Sequence, residues 1–120
     1  MSLFSFLLFL GEASIRSQLS TSLERLQVSK VKILYLHAPD HRISLQETLK
    51  VIDSLHKEGK FEEFGLSNFS AWLVAEVVNQ CKLNKWILPT VYQVCLPVSL
   101  HPFASLCVST CLFVCLYPSW

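Results

Sequence analysis

The sequence predicts an α/β fold in which strands alternate with helices, as in a segment of a (β/α)8 barrel. Between residues 14 and 93, apolar residues recur first with helical spacing and then in short runs, and this alternation repeats. The run VKILYLH is apolar on both faces apart from Lys32, which is typical of a strand in a covered parallel sheet. None of the 3 glycines forms a glycine-rich phosphate loop, so a doubly wound nucleotide-binding sheet is disfavoured.

Charged side chains are confined to the middle of the chain. All 9 acidic and 10 basic residues lie between Glu12 and Lys85, and their near balance provides no field that would attract nucleic acid. We therefore divide the chain into an apolar leader (1–13), a globular middle (14–93) and an apolar, cysteine-rich tail (94–120).

The first helix and strand follow directly from residue spacing. SIRSQLSTSLERLQ is an amphipathic helix behind Ser14, a candidate N-cap, and its apolar stripe consists of Ile15, Leu19, Leu23 and Leu26. VKILYLH is the first strand of the predicted middle domain.

Two further helix and strand pairs follow. Ser44 and Glu47 form a capping box at the start of SLQETLKVIDSLHKEGK, and Gly59 ends that helix. FEEFGLSN is the next strand, and ILPTVYQ is the last. Between them lies the helix SAWLVAEVVNQCKLN, whose predicted inner face consists of Trp72, Ala75, Val78 and Cys81.

The two apolar ends carry weaker signals. The leader lacks the basic residue of a signal peptide, and prolines break the tail, whose longest uninterrupted stretch (103–117) is shorter than the roughly 20 residues of a spanning helix. As a helix, the tail would place Cys107, Cys111 and Cys115 on one face, a spacing unlike that of metal knuckles, so we assign no metal site. An odd cysteine count favours a reducing, cytoplasmic location, and a membrane role is disfavoured.

Polar side chains stand at the ends of the predicted strands: His37, then Ser67 with Asn68, then Gln93. The carboxyl ends of barrel strands share one mouth, where imidazole can polarise a carbonyl and Ser, Asn and Gln can bind an amide. The alternative is that these residues serve only the turns that follow each strand.

The stretches YLHAPD, LHKEGKFEEFGLSNF and WILPTVYQ, in this order, resemble the central part of the aldo-keto reductase family, in particular its aflatoxin-aldehyde reductase subfamily. The resemblance covers residues 14–93. It implies about three βα units of a TIM barrel that uses NADPH to reduce aldehydes and ketones. It further implies that His37 is the histidine of the catalytic Asp-Tyr-Lys-His tetrad, and that Ser67, Asn68 and Gln93 bind the nicotinamide carboxamide.

The same resemblance shows what has no counterpart in this chain. The family's catalytic Asp, Tyr and Lys come from earlier strands, and its phosphate-binding loops come from later ones. We therefore expect a truncated isoform or gene-model product with unrelated ends, inactive alone and binding NADPH weakly or not at all. Three strands would leave two open edges, which the leader and tail could cover as helices. The alternatives are an interaction fragment that binds a full-length homologue or chaperone, and a membrane-associated splice product.

Overall fold

Helices and strands alternate along the chain. The computed structural model describes the backbone of residues 4–7, 10–96 and 110–115, and the side chains of residues 10–93. The elements are β1 (Phe4–Leu7), α1 (Glu12–Leu26), β2 (Val31–Leu36), α2 (Leu45–Lys57), β3 (Phe61–Ser67), α3 (Ala71–Asn84), β4 (Pro89–Leu96) and β5 (Thr110–Cys115).

The strands form one sheet in the order β1-β2-β3-β4-β5. Strands β1 to β4 are mutually parallel, and β5 runs antiparallel to β4. In the described part of the chain the sheet is open rather than closed into a barrel. The predicted partial α/β barrel architecture is therefore confirmed.

The sheet has more strands than the sequence pattern predicted. The leader contributes β1, which pairs with β2, and the tail contributes β5, which pairs with β4. The expectation that these ends cover the sheet edges as helices was wrong for both segments. A free edge presents unpaired backbone N–H and C=O groups, and an apolar extended segment satisfies them directly. Cys111 and Cys115 consequently lie in a strand and not on a helix face, whereas Cys107 lies outside the described residues.

Helix α2 matches its prediction closely. The Ser44 hydroxyl accepts a hydrogen bond from the Glu47 backbone N–H at 3.2 Å, which is one half of the predicted capping box. Gly59 follows the helix with a φ of 75°, a left-handed conformation that glycine adopts without steric cost. The buried hydrophobic stripe includes Leu49, Ile52 and Leu55.

Helices α1 and α3 depart from their predictions. Helix α1 begins at Glu12 behind Gly11, so Ser14 lies within the helix instead of capping it. Helix α3 buries Val77 and Cys81, whereas Trp72 is 68% exposed and Ala75 is also exposed. The predicted inner face of α3 was therefore wrong at Trp72 and Ala75 and right at Cys81, whereas Val78 is half-buried. Apolar residues occur on more than one side of this helix, so its rotation is left to tertiary packing.

The core lies between the three helices and one face of the sheet. Leu34 and Leu36 of β2 and Phe64 and Leu66 of β3 join helix residues in a single buried cluster. Helix α1 packs on α2, and α2 packs on α3. No helix in the described ranges is long and apolar enough to cross a membrane.

Candidate functional site

The pairing register brings the predicted site residues together. Leu36 pairs with Leu66, and Ser67 pairs with Gln93, so His37 follows β2 beside the end of β3. All these strands are parallel, and therefore the three positions lie at one edge of the sheet. Gln93 differs from its prediction in one respect: it lies inside β4, because pairing with β5 keeps that strand extended to Leu96.

The site residues belong to the sheet face that the helices do not cover. Side chains alternate between faces along a strand. Leu66 and Tyr92 lie with the helix-side cluster, so Ser67 and Gln93, one residue further along, face the opposite side. A closed barrel would turn that side inward. Ser67 is 2% exposed and Gln93 is 8% exposed.

Asn68 connects the ends of β2 and β3 with β4 through hydrogen bonds. Its Nδ2 donates to the His37 carbonyl oxygen at 2.9 Å and to Ser67 Oγ at 3.2 Å. Its backbone N–H donates to the Gln93 carbonyl oxygen at 3.3 Å. The residue has a φ of 56°, in the left-handed region that asparagine tolerates better than most residues.

Ser67 and Gln93 together offer one donor and one acceptor. The Gln93 Oε1 atom is buried and has no hydrogen-bond partner among the described residues. Ser67 Oγ accepts from Asn68, which leaves the hydroxyl proton for a further acceptor. A primary amide carries one carbonyl acceptor and an NH2 donor, so it complements this pair. An unsatisfied buried acceptor is costly, and an amide ligand would satisfy it.

His37 contributes differently from the other members of the site. Its backbone carbonyl is bound by Asn68, and the residue itself is exposed.

The loop that follows His37 contains an ion pair between Asp40 and Arg42. The Arg42 guanidinium donates to both carboxylate oxygens of Asp40, at 2.9 and 3.0 Å. Hydrogen bonds from Arg42 lower the pKa of Asp40 to about 2.

Sequence reasoning missed two residues on this sheet face. Glu63 accepts a hydrogen bond from the Thr90 hydroxyl at 3.3 Å, and Tyr35 is fully buried nearby on β2. Burial, and then the Glu63 carboxylate, raise the pKa of Tyr35. The period of two in FEEFGLS places Glu63, Gly65 and Ser67 on one face, and that signal could have identified Glu63. The described residues include no cluster of three or more His, Cys, Asp or Glu side chains suited to a metal ion.

An open parallel sheet backed by helices, with polar side chains at one edge, agrees with a segment of a (β/α)8 barrel. The model of the Aldo/keto reductase family matches residues 10–111. The chain therefore belongs to the aldo-keto reductase family. The predicted boundaries of the family-like region, at residues 14 and 93, remain a prediction.

Among individual proteins, the chain is similar to aflatoxin aldehyde reductases. It is 53% identical over 103 residues to human "Aflatoxin B1 aldehyde reductase member 4", covering 86% of this chain and 30% of that protein. It is 61% identical over 80 residues to mouse "Aflatoxin B1 aldehyde reductase member 2", covering 67% of this chain and 22% of that protein. Human "Aldo-keto reductase family 7 member A3" is 59% identical over 80 residues, which cover 67% of this chain and 24% of that protein. The chain thus spans less than a third of the length of these relatives.

Proposed function

We propose that this chain carries part of the nicotinamide site of an NADPH-dependent reductase of aldehydes and ketones. The observation that supports the proposal is the unsatisfied Oε1 of Gln93, buried beside the Ser67 hydroxyl at the carboxyl edge of a parallel sheet. This donor and acceptor pair fits the carboxamide of the cofactor. In this arrangement the Ser67 hydroxyl donates to the carboxamide oxygen, and Gln93 Oε1 accepts from the carboxamide nitrogen.

His37 provides the group that acts on the substrate. NADPH supplies the hydride when it is bound. The exposed His37 lies at the end of β2, where the imidazole can polarise a carbonyl and orient it toward the nicotinamide side of the sheet edge. The chemistry of the chain's own residues is therefore orientation and polarisation of a carbonyl substrate, together with binding of an amide.

We further propose that the chain alone reduces carbonyl substrates poorly. Carbonyl reduction needs a proton donor at the developing alkoxide. The Tyr92 hydroxyl donates to the Phe69 carbonyl oxygen on the helix side of the sheet. The Tyr35 hydroxyl is buried with a raised pKa, which makes it a weaker acid than an ordinary tyrosine. Neither of these two tyrosines, the ones within the described residues, suits the role that the family's catalytic tyrosine fills; Tyr117 lies outside the described residues.

Two measurements test these proposals. In an NADPH-oxidation assay with an aromatic aldehyde, we expect the full chain to show little turnover above a His37→Ala control. Turnover comparable to that of an intact reductase, and abolished by His37→Ala, would contradict the inactivity. In a fluorescence titration with NADPH, we expect weak binding that Gln93→Leu removes, because leucine keeps the volume of the side chain without the amide. Binding of equal strength in both proteins would rule out Gln93 as a cofactor contact.

A second candidate function is association with a full-length homologue. The observation that favours it is the open sheet, whose outermost described strands are β1 and β5. Unpaired strand edges are templates for pairing with another chain. Co-purification of tagged full-length reductase with this chain would support the association, and a monomer by light scattering of the mixture would argue against it.

We propose a cytoplasmic location on the basis of cysteine chemistry. Cys81 is a free, buried thiol, and an odd cysteine count in the sequence is typical of proteins kept in reducing surroundings. Cell fractionation tests this directly: recovery of the chain in a membrane or secreted fraction would contradict the proposal.

A further inference from the structure

The pairing of β4 with β5 sets two cysteine positions opposite each other. Cys95 of β4 and Cys111 of β5 are register partners in this antiparallel pair. Residues directly opposite each other in an antiparallel pair share one face of the sheet, and their Cα atoms are about 4.5–5.5 Å apart. A disulfide bond spans Cα separations of about 4.4–6.8 Å. The backbone register therefore brings these two positions within the range of a disulfide bond.

The same register separates Cys95 from the other cysteine of β5. Cys115 is paired with Val91, four residues before Cys95 along β4. A strand rises about 3.4 Å per residue, so four residues correspond to roughly 14 Å, twice the separation that a disulfide tolerates. An equal distance separates Cys111 from Cys115 within β5 itself. Strand geometry thus selects Cys111 as the partner of Cys95 and disfavours a bond between the two cysteines of β5.

Cys81 belongs to a different part of the fold. It is a free thiol buried on α3, within the core cluster between the helices and the sheet. Burial raises the pKa of this thiol, and oxidation of a cysteine begins from the thiolate. Cys81 is therefore a poor competitor for an oxidant.

We propose that Cys95 and Cys111 are a redox-sensitive pair, which hydrogen peroxide converts into a disulfide that fastens β5 to β4 just beyond Gln93. In a reducing compartment the two thiols stay reduced, and disulfides that form there are typically transient and redox-sensing. The proposal concerns the attachment of the tail strand, so it holds whether or not the nicotinamide site binds a cofactor.

The oxidation takes place in two steps. One thiolate of the pair attacks a peroxide oxygen, the O–O bond breaks, and the departing hydroxide takes up a proton to become water. The second thiol then attacks the resulting sulfenic acid: the S–S bond forms, the S–O bond breaks, and hydroxide leaves with the thiol proton as a second water. Two thiols are oxidised and one peroxide is reduced to two waters. A dithiol reductant reverses the reaction.

Disulfide mapping of the full chain tests the pairing. The chain is treated with hydrogen peroxide, its remaining thiols are alkylated, and it is digested with chymotrypsin under non-reducing conditions. Phe103 lies between Cys95 and the tail cysteines, so cleavage there leaves the two halves of the linked peptide joined only by the disulfide. We expect tandem mass spectrometry to show Cys95 joined to Cys111. A bond from Cys95 to Cys107 or Cys115, or no intramolecular bond, would overturn the proposal.

Serine variants provide a matched comparison within one strand. We expect Cys111→Ser to abolish the linked peptide and Cys115→Ser to retain it, because the register places only Cys111 opposite Cys95. Circular dichroism and the protection of Cys81 from iodoacetamide verify that each variant is folded. Loss of the linked peptide in both folded variants would contradict the register.

Urea gives a comparison that needs no variant. Closing a short loop in an unfolded chain costs less entropy than closing a long one, so we expect Cys111 and Cys115 to pair with each other in urea and the preference for Cys95 to disappear. An identical distribution of disulfides with and without urea would show that the fold does not direct the bond.

Hydrogen exchange measures the attachment of β5. We expect the β5 amides to exchange more slowly in the oxidised chain and to recover their original rates after reduction with dithiothreitol. Unchanged exchange in a chain that carries the Cys95–Cys111 bond would overturn the proposed fastening of the strand.

Discussion

The ring of Tyr35 on β2 lies directly against Gly65 on β3. A Cβ atom added at position 65 would stand 2.6 Å from two carbons of that ring, closer than real Cβ atoms come to other atoms. Tyr35 and Gly65 are paired across the parallel strands β2 and β3, and Gly65 lies two positions before Ser67. Gly65 does not have a positive φ, so the requirement for glycine here is one of space and not of backbone conformation.

We predict that Gly65→Ala destabilises the fold by overpacking. Inserting a methyl group into a filled space typically costs about 1–3 kcal/mol in the free energy of unfolding. Urea denaturation, monitored by circular dichroism, measures the loss in the free energy of unfolding. The double variant Gly65→Ala with Tyr35→Leu removes the ring that meets the new methyl, so we expect its loss to be smaller than the sum of the two single losses. A purely additive result would show that the contact between the two residues is not the cause.

A second prediction concerns Asp53, a buried carboxylate on α2. Its Oδ1 accepts a hydrogen bond from the Ile87 backbone N–H at 2.9 Å, which ties the segment before β4 to the helix. Its Oδ2 pairs with Lys57 Nζ at 2.5 Å, but that lysine is largely exposed, and exposed pairs contribute little. We therefore expect Asp53→Ala to lower the free energy of unfolding by about 1–3 kcal/mol, since the partly buried Ile87 N–H loses its acceptor.

Asp53→Asn is the matched control for that prediction. Asparagine keeps an acceptor oxygen for Ile87 and removes the charge that pairs with Lys57. Thermal and urea denaturation of both variants should place Asp53→Asn close to the wild-type chain. Equal destabilisation in the two variants would assign the stabilisation to the ion pair instead.

The third prediction is acid sensitivity of the loop after His37. The pKa of Asp40 is lowered from its ordinary 3.8 to about 2, chiefly by hydrogen bonds from Arg42. A carboxyl whose pKa is lower in the folded state stabilises that state above its ordinary pKa, and the contribution is lost as pH falls toward the folded value. We expect the loop to loosen between about pH 4 and pH 2, with the Asp40 carboxyl carbon titrating at the lower value in NMR.

Arg42→Gln provides the comparison for the acid transition. It removes the guanidinium, so the pKa of Asp40 should return toward its ordinary value, and the loop transition should move to higher pH. A wild-type Asp40 that titrates normally would contradict the role of Arg42.

The fourth prediction concerns the reactivity of Cys81. Burial, and then the nearby Asp53 carboxylate, raise the pKa of this thiol to about 11. The thiolate is the reactive form, so we expect iodoacetamide at neutral pH to leave Cys81 unmodified in the folded chain and to alkylate it in urea. Peptide mass spectrometry follows Cys81 separately from the other cysteines. Equal labelling rates with and without urea would contradict the burial of the thiol.

Local chemistry accounts for the parts of the fold that the sequence predicted correctly. The cap at Ser44 and the turn at Gly59 involve residues a few positions apart, so their signals are visible in the chain itself. The inner face of α3 was predicted wrongly because Trp72 and Leu83 are apolar and yet largely exposed. Hydrophobicity alone could not distinguish those residues from Val77.

The sequence predicted which residues form the candidate site but not the hydrogen bonds between them. Strand-end position and family resemblance both pointed to His37, Ser67, Asn68 and Gln93, and their proposed roles remain to be tested. The hydrogen bonds of Asn68 could not be read from spacing, because its acceptor on His37 lies 31 residues earlier in the chain.

The sequence by itself determined the alternation of helices and strands and the chemistry available at the strand ends, since both depend on periodicity and on residue type. Only the tertiary structure decided that leader and tail become edge strands, that the Tyr35 ring occupies the space of a side chain at Gly65, and that Asn68 joins the ends of β2 and β3 to β4. Each of these depends on pairing register between distant segments. Register is set by the joint burial of many side chains, and no single stretch of the chain encodes it.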